Sequence, residues 1–223
     1  MNKRPARCTA AVLTFLLLVE VASGPGSACA GLVTYQVSVN TSALDGQSGN
    51  LDFQFNPGGL GSESATATVT NFQTLAGILS QPAMLTGDAT GSLPGTLTLN
   101  NGTAYNDVFQ KFSYGSSFDF ALTLSGPALD SPGGSSGSSF ALSLYDGAGL
   151  TPLLTTDRNG SVLTVNLNVS GTTSVLTFPQ SSTNSTPAAS VSSVPEPSSL
   201  VLFGLGVLGL LAYVLRQIRV AAV

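Results

Sequence analysis

Apolar and polar residues alternate with a period of two along much of the chain between residues 31 and 178. Successive side chains of a β-strand point to opposite faces, so this alternation is typical of strands that bury one face. Turn-forming pairs such as Asp45-Gly46, Asn101-Gly102 and Asn159-Gly160 separate the alternating runs. The runs cover residues 33–39, 53–55, 65–69, 97–99, 108–114, 118–124, 140–144, 163–169 and 175–178.

About nine strands at this spacing predict an all-β fold, an antiparallel β-sandwich with a jelly-roll-like order, over residues 31–178. A segment of roughly 150 residues is long enough to bury its own core. A short helical turn is expected at residues 74–79. Asp52 and Asp119 fall within predicted strands, and we expect both on the solvent face.

The first thirty residues predict a secretory signal peptide. Residues 10–19 form an apolar run too short to span a bilayer as a helix. Ala28 and Ala30 are the small residues that precede a cut by signal peptidase ahead of Gly31. The basic residues at the start of the segment are Lys3, Arg4 and Arg7.

Cys8 and Cys29 are the only cysteines of the chain, and both lie in this segment. A lipoprotein signal with Cys29 as the lipidated residue is the alternative, but the expected aliphatic residue three positions earlier is Gly26. If the segment is removed by signal peptidase ahead of Gly31, the mature domain contains no thiol and no disulfide.

Residues 179–193 are rich in Ser, Thr, Pro and Ala and predict a flexible linker. The tail that follows, residues 194–223, has three parts. Its first part holds Pro195, Glu196 and Pro197, its second is the uncharged apolar run 200–215, and its third carries a basic pair. We expect the run to be a single transmembrane helix that holds the chain in the inner membrane. The basic pair, which would stop the span on the cytoplasmic side, is Arg216 and Arg219.

This order of motif, apolar run and basic end resembles the PEP-CTERM sorting signal of Gram-negative bacteria. The resemblance implies that an exosortase cuts at Pro195-Glu196-Pro197 and sends the ectodomain to the cell surface or the extracellular matrix, often beside exopolysaccharide. A plain single-pass anchor that is never processed is the alternative. Residues 51–58, 91–99 and 140–146 also resemble ectodomains of PEP-CTERM proteins, and this second resemblance implies no activity.

Charge excludes several functions for the ectodomain. Between residues 31 and 195, nine acids against Lys111 and Arg158 give a net charge of −7, which excludes nucleic acid as a partner because phosphate binding needs clustered basic residues. Since the chain has no His, a Ser-His-Asp triad and a His-bound metal are excluded. We therefore expect no enzyme and no cofactor.

Three functions stay open. The leading prediction is a non-catalytic surface or matrix protein associated with exopolysaccharide or biofilm. The alternatives are a carbohydrate-binding module and, less favoured, a glycoside hydrolase built on two carboxylates. A structural calcium ion is a further expectation, since loop acids supply the oxygen ligands it prefers. The candidate ligands are Asp130, Asp146 and Asp157.

Overall fold

The computed structural model describes residues 31–194, 204, 206–211 and 213. Within residues 31–194 the chain forms thirteen strands, a short 3-10 helix (Ser42–Leu44) and one short α-helix, α1 (Pro127–Asp130). The strands are β1 Leu32–Asn40, β2 Ser48–Pro57, β3 Thr66–Leu75, β4 Ile78–Leu79, β5 Met84–Thr86, β6 Ala89–Gly91, β7 Leu97–Asn100, β8 Asp107–Ser113, β9 Ser117–Ser125, β10 Ser138–Asp146, β11 Ser161–Leu167, β12 Thr173–Thr177 and β13 Ala189–Val194.

The strands form two antiparallel sheets. The first sheet has the order β13-β1-β9-β3-β7-β6, and the second has the order β12-β11-β10-β2-β8-β4, with β5 also paired to β8. The predicted all-β fold with antiparallel sheets is confirmed. Its jelly-roll-like detail stays a prediction.

A layer of aromatic rings joins the inner faces of the two sheets. Phe53 of β2 meets Phe120 of β9 edge to face, with ring centroids 5.5 Å apart. Phe112 of β8 meets Phe118 of β9 at 5.9 Å in the same manner. All four rings are buried, and edge-to-face contacts stabilise such pairs beyond the apolar area they bury. The period-two alternation thus produces the core that the sequence predicts.

Tyr114 closes one end of this layer. Its ring meets Phe112 at 5.4 Å, and its hydroxyl lies 2.9 Å from the carbonyl oxygens of Asn50 and Tyr145. A Cβ on Gly49 would stand 2.2 Å from the Tyr114 ring, so only glycine fits beside that ring. The buried hydroxyl therefore has hydrogen-bond acceptors on β2 and β10.

The linker predicted over residues 179–193 is wrong in its last part. Ala189–Val194 forms β13, which pairs antiparallel with β1 from Val39↔Ala189 to Thr34↔Val194. The small and polar side chains of this segment suggest a linker, but the free side of β1 offers backbone partners that a strand can use. The helical turn expected at residues 74–79 is also wrong, since β3 runs to Leu75 and β4 covers Ile78–Leu79.

Two predicted segments lie mostly outside the described residues. Nothing tests the signal peptide over residues 1–30. Of the apolar run 200–215, the described residues 204, 206–211 and 213 are helical. Among the residues described by the structure, no helix has the length and hydropathy needed to cross a membrane, so the transmembrane helix stays a prediction.

The aromatic layer makes a stability prediction. Phe53→Ala removes a fully buried ring and should lower the free energy of unfolding by about 3–5 kcal/mol, measured by urea denaturation of the purified protein. Leu60→Ala, at a fully exposed position, is the control and should change it by less than about 0.5 kcal/mol. A loss below about 1 kcal/mol in Phe53→Ala would contradict the assigned packing.

Candidate functional site

In sequence, the predicted sorting motif begins at the residue after the last strand of the sandwich. Val194, the last residue of β13, is the Cα partner of Thr34 near the start of β1, and Pro195 is the next residue in the chain. Since β13 is the edge strand of its sheet, the chain leaves the ectodomain at an edge beside the beginning of β1. Proline has no backbone N–H, so Pro195 cannot donate to this ladder.

The residues predicted to direct sorting and processing fall outside the described part of the chain. They are Ala28, Ala30, Pro195, Glu196, Pro197, Arg216 and Arg219.

The three loop acids predicted to bind calcium do not form one site. Asp146 accepts the backbone N–H of Leu150 at 3.0 Å, and these turn hydrogen bonds lower the pKa of its exposed carboxyl. Asp157 accepts the N–H of Ser161 at 3.2 Å, and Asp130 ends helix α1. The described residues contain no group of three or more acids, Cys or His suited to a metal ion. Asp146 and Asp157 therefore cap their own turns.

A different pair of acids lies on the outer face of the second sheet. Leu51 and Phe53 of β2 point into the core, so Asp52 points to the opposite face. Asp107 of β8 pairs with Gln54, two positions along from Asp52. Diagonal neighbours of this kind are about 7–8 Å apart in a sheet. Strand register thus brings together two acids that are far apart in sequence.

Both acids are covered although they lie on an outer face. Asp52 is 3% exposed and Asp107 is 7% exposed. Asp52 is flanked in register by Phe109 of β8 and Ser143 of β10, and the Phe109 ring packs 6.1 Å from that of Tyr145. The expectation that Asp52 lies on the solvent face is therefore right about the face but wrong about its exposure.

A short hydrogen-bonded chain connects the two carboxylates. Gln54 Nε2 donates to Asp52 Oδ2 at 2.6 Å and reaches the Tyr105 hydroxyl at 3.3 Å. That hydroxyl donates to Asp107 Oδ2 at 3.4 Å. The other oxygen of each acid, Oδ1, is buried and has no hydrogen-bond partner. We call Asp52, Asp107, Gln54 and Tyr105 the acid pair site.

A buried asparagine positions two members of this site. Asn106, between Tyr105 and Asp107, donates from Nδ2 to the Phe55 carbonyl at 3.0 Å and accepts the Asp88 N–H at 2.8 Å. Its own N–H donates to Asn56 Oδ1 at 2.7 Å. These bonds tie the start of β8 to β2, so Tyr105 and Asp107 are held on a fixed backbone.

The acid pair site is electronegative. Burial, and then the charge of Asp107, raise the pKa of Asp52 to about 6, although the hydrogen bond from Gln54 opposes this. Burial and the charges of Asp52 and Asp107 raise the pKa of Tyr105 to about 12. Burial and the charge of Asp52 also raise the pKa of Tyr145. No basic side chain contributes to these three pKa shifts. The negative charge of the two carboxylates is therefore not offset by a nearby cation of the protein.

A separate surface groove lies between the β2–β3 loop and the β7–β8 loop. Its volume is about 430 Å³, and its walls include Pro57, Leu60, Ser62, Asn101 and Thr103. Neither member of the acid pair lines it, nor does any other titratable side chain. The groove offers amide and hydroxyl groups for hydrogen bonding but no group for acid–base chemistry.

The comparisons with known proteins identify the tail. Residues 193–217 match the PEP-CTERM protein-sorting motif, as the order of motif, apolar run and basic end indicates. No curated protein and no solved structure matches the chain. The chain therefore carries a PEP-CTERM sorting signal, the mark of an exported protein that an exosortase processes on its way through the membrane toward the cell surface.

The raised pKa of Asp52 predicts how stability depends on pH. An acid whose pKa is higher in the folded state binds more protons folded than unfolded, so folding is favoured at low pH and stability falls as pH rises from about 4 to about 6. Asp52→Asn should abolish this slope. At pH 7.5 it should raise the free energy of unfolding by on the order of 1–3 kcal/mol, measured by urea denaturation in EDTA.

The control for this prediction is Asp45→Asn, a similar change at an exposed turn. It should leave the slope intact. A slope of the same size in Asp52→Asn and in the unaltered protein would show that Asp52 is not its source.

Proposed function

We propose that this protein is a non-catalytic component of the cell surface or extracellular matrix, released or re-attached by an exosortase and associated with exopolysaccharide or biofilm. The observation that carries the proposal is the PEP-CTERM motif at residues 193–217, which begins within the last strand of the sandwich. An intact ectodomain would therefore be delivered by a cut just beyond that strand.

The geometry at the start of the ectodomain suits this route. An ideal Cβ on Gly31 would stand 1.8 Å from Asp130 Oδ1, so the Gly31 backbone nitrogen lies within roughly 4 Å of that carboxylate. Cleavage after Ala30 would turn this nitrogen into an ammonium group beside an acid. This ion pair would stabilise the cleaved N-terminus at Gly31 only modestly, since exposed ion pairs contribute little.

The strand order also connects folding with export. β1 is the first strand of the ectodomain to cross the membrane and β13 is the last, yet the two are neighbours in one sheet. The sheet is complete only when residues 189–194 have crossed. In the proposed intermediate, Arg216 and Arg219 hold the apolar run in the inner membrane while the sandwich closes outside it.

A passive role agrees with the chemistry of the site. The two carboxylates closest to a hydrolase pair are almost completely covered, whereas a glycosidase needs both acids in contact with substrate and water. The ectodomain sequence contains neither His nor Cys, and its conspicuous groove is lined by neutral groups. These features favour binding or assembly over catalysis.

Substitution of the sorting motif should stop cleavage by the exosortase. Replacing Pro195, Glu196 and Pro197 together with Ala should leave the apolar tail on the protein and keep it in the membrane fraction, as shown by cell fractionation and immunoblotting. Ser198→Ala/Ser199→Ala is the matched control and should be processed normally. In a strain that lacks the gene, the unaltered protein should restore matrix cohesion and the motif variant should not.

Two outcomes would contradict this proposal. Release of the triple variant from the membrane would show that the motif does not direct processing. An unchanged matrix in the deletion strain would show that the protein has no part in matrix cohesion.

Carbohydrate binding is the second candidate function, and one observation favours it. Tyr105 is 47% exposed beside the acid pair, and an amphipathic ring suits the apolar face of a sugar. On a glycan array, Tyr105→Ala should lose at least tenfold in any binding that the unaltered protein shows, whereas Leu75→Ala, at an exposed position away from the acid pair site and the groove, should not. Absence of binding across bacterial polysaccharides would remove this candidate.

A further inference from the structure

The acid pair site contains an electrostatic problem that its own side chains do not solve. Asp52 and Asp107 are each more than nine-tenths buried, and Oδ1 of each has no hydrogen-bond donor. Burying a carboxylate without a partner is costly, and two like charges held close together repel. A positive charge is therefore expected next to the two carboxylates.

The basic side chains of the ectodomain are poorly suited to supply this positive charge. Residues 31–194 contain only Lys111 and Arg158 as basic side chains. Lys111 pairs in register with Asn50 and is thus a diagonal neighbour of Asp52, but its side chain is exposed and its charge does not offset the raised pKa of Asp52. The donors that reach the acids are a neutral amide and a neutral hydroxyl, and both contact Oδ2 and leave Oδ1 free.

The two Oδ1 atoms are the part of the site that a ligand would have to satisfy. Both are buried, and neither accepts a hydrogen bond. Ca²⁺ takes carboxylate oxygens as ligands at about 2.3–2.6 Å. A cation would also neutralise the two like charges, which a neutral water molecule or sugar hydroxyl would not do.

We propose that Asp52 and Asp107 bind a hard divalent cation, of which Ca²⁺ is the representative, and that the cation fastens β2 to β8. The ligands are oxygens that the register of two neighbouring strands brings together. The ion replaces the role expected for the separate loop acids Asp130, Asp146 and Asp157. With two carboxylates, the dissociation constant should be about 10⁻⁴–10⁻³ M, as in extracellular calcium modules.

The test uses the full-length chain, purified and freed of metal with EDTA, and then titrated with CaCl₂. At 10 mM Ca²⁺ the Tm should rise by about 3–10 °C, and calorimetry should give one site per chain. Asp52→Asn and Asp107→Asn should each abolish the rise. In EDTA their Tm values should equal or exceed that of the unaltered protein, because removal of one charge relieves the repulsion, so loss of the response would not reflect unfolding.

Asp146→Asn and Asp45→Asn are matched controls and should keep the Ca²⁺ response. No change of Tm and no heat of binding up to 10 mM Ca²⁺ in the unaltered protein would overturn the proposal. It would also be overturned if the Asp52 and Asp107 variants kept the response, or if Asp146→Asn alone removed it.

Discussion

The phenylalanine layer between the two sheets is the interaction on which the rest of the structure depends. If the cysteines leave with the signal peptide, no disulfide can support the ectodomain, so its cohesion rests on apolar packing of the kind seen at Phe53–Phe120 and Phe112–Phe118. Close packing of such rings fixes the distance between the sheets and the faces that their strands present. The outer face that carries Asp52 is set by the inner face that carries its neighbours Leu51 and Phe53.

The arrangement of strands in the first sheet decides where the tail leaves the domain. Because β1 is buried against β9 on one side, its other side is free to receive β13, and this pairing ends at Val194. The sorting motif therefore starts at the border of a folded sheet. A processing enzyme would meet the cleavage segment close to the domain, and the cut would leave the ladder between β1 and β13 in place.

Sequence periodicity predicts most of the sandwich, and its failures have physical reasons. Strands such as β9 and β10 alternate large apolar and polar side chains, so one sequence window contains the signal. β13 does not, since four of its six residues are Ser or Ala and one side chain is buried. It becomes a strand by pairing with β1, whose residues lie 150 or more positions earlier in the chain. The tail motif is local in sequence and could be found directly.

The acid pair site could be predicted only in part. Alternation assigns Asp52 to the outer face, but its burial depends on Phe109, Ser143 and the loop that carries Tyr105, which come from other parts of the chain. Asp107 looks in sequence like a turn residue ahead of a strand. Its proximity to Asp52 depends on the register between β2 and β8, which no single window of sequence contains.

Intact mass spectrometry of the exported protein tests the central claim most directly. The account predicts a species that begins at Gly31 and ends near Pro195, so that β13 stays with the sandwich and the apolar run is lost. A species that still carries residues 200–223 would contradict processing at the motif. A species that ends before Ala189 would contradict the role of β13 as the last strand of the delivered domain.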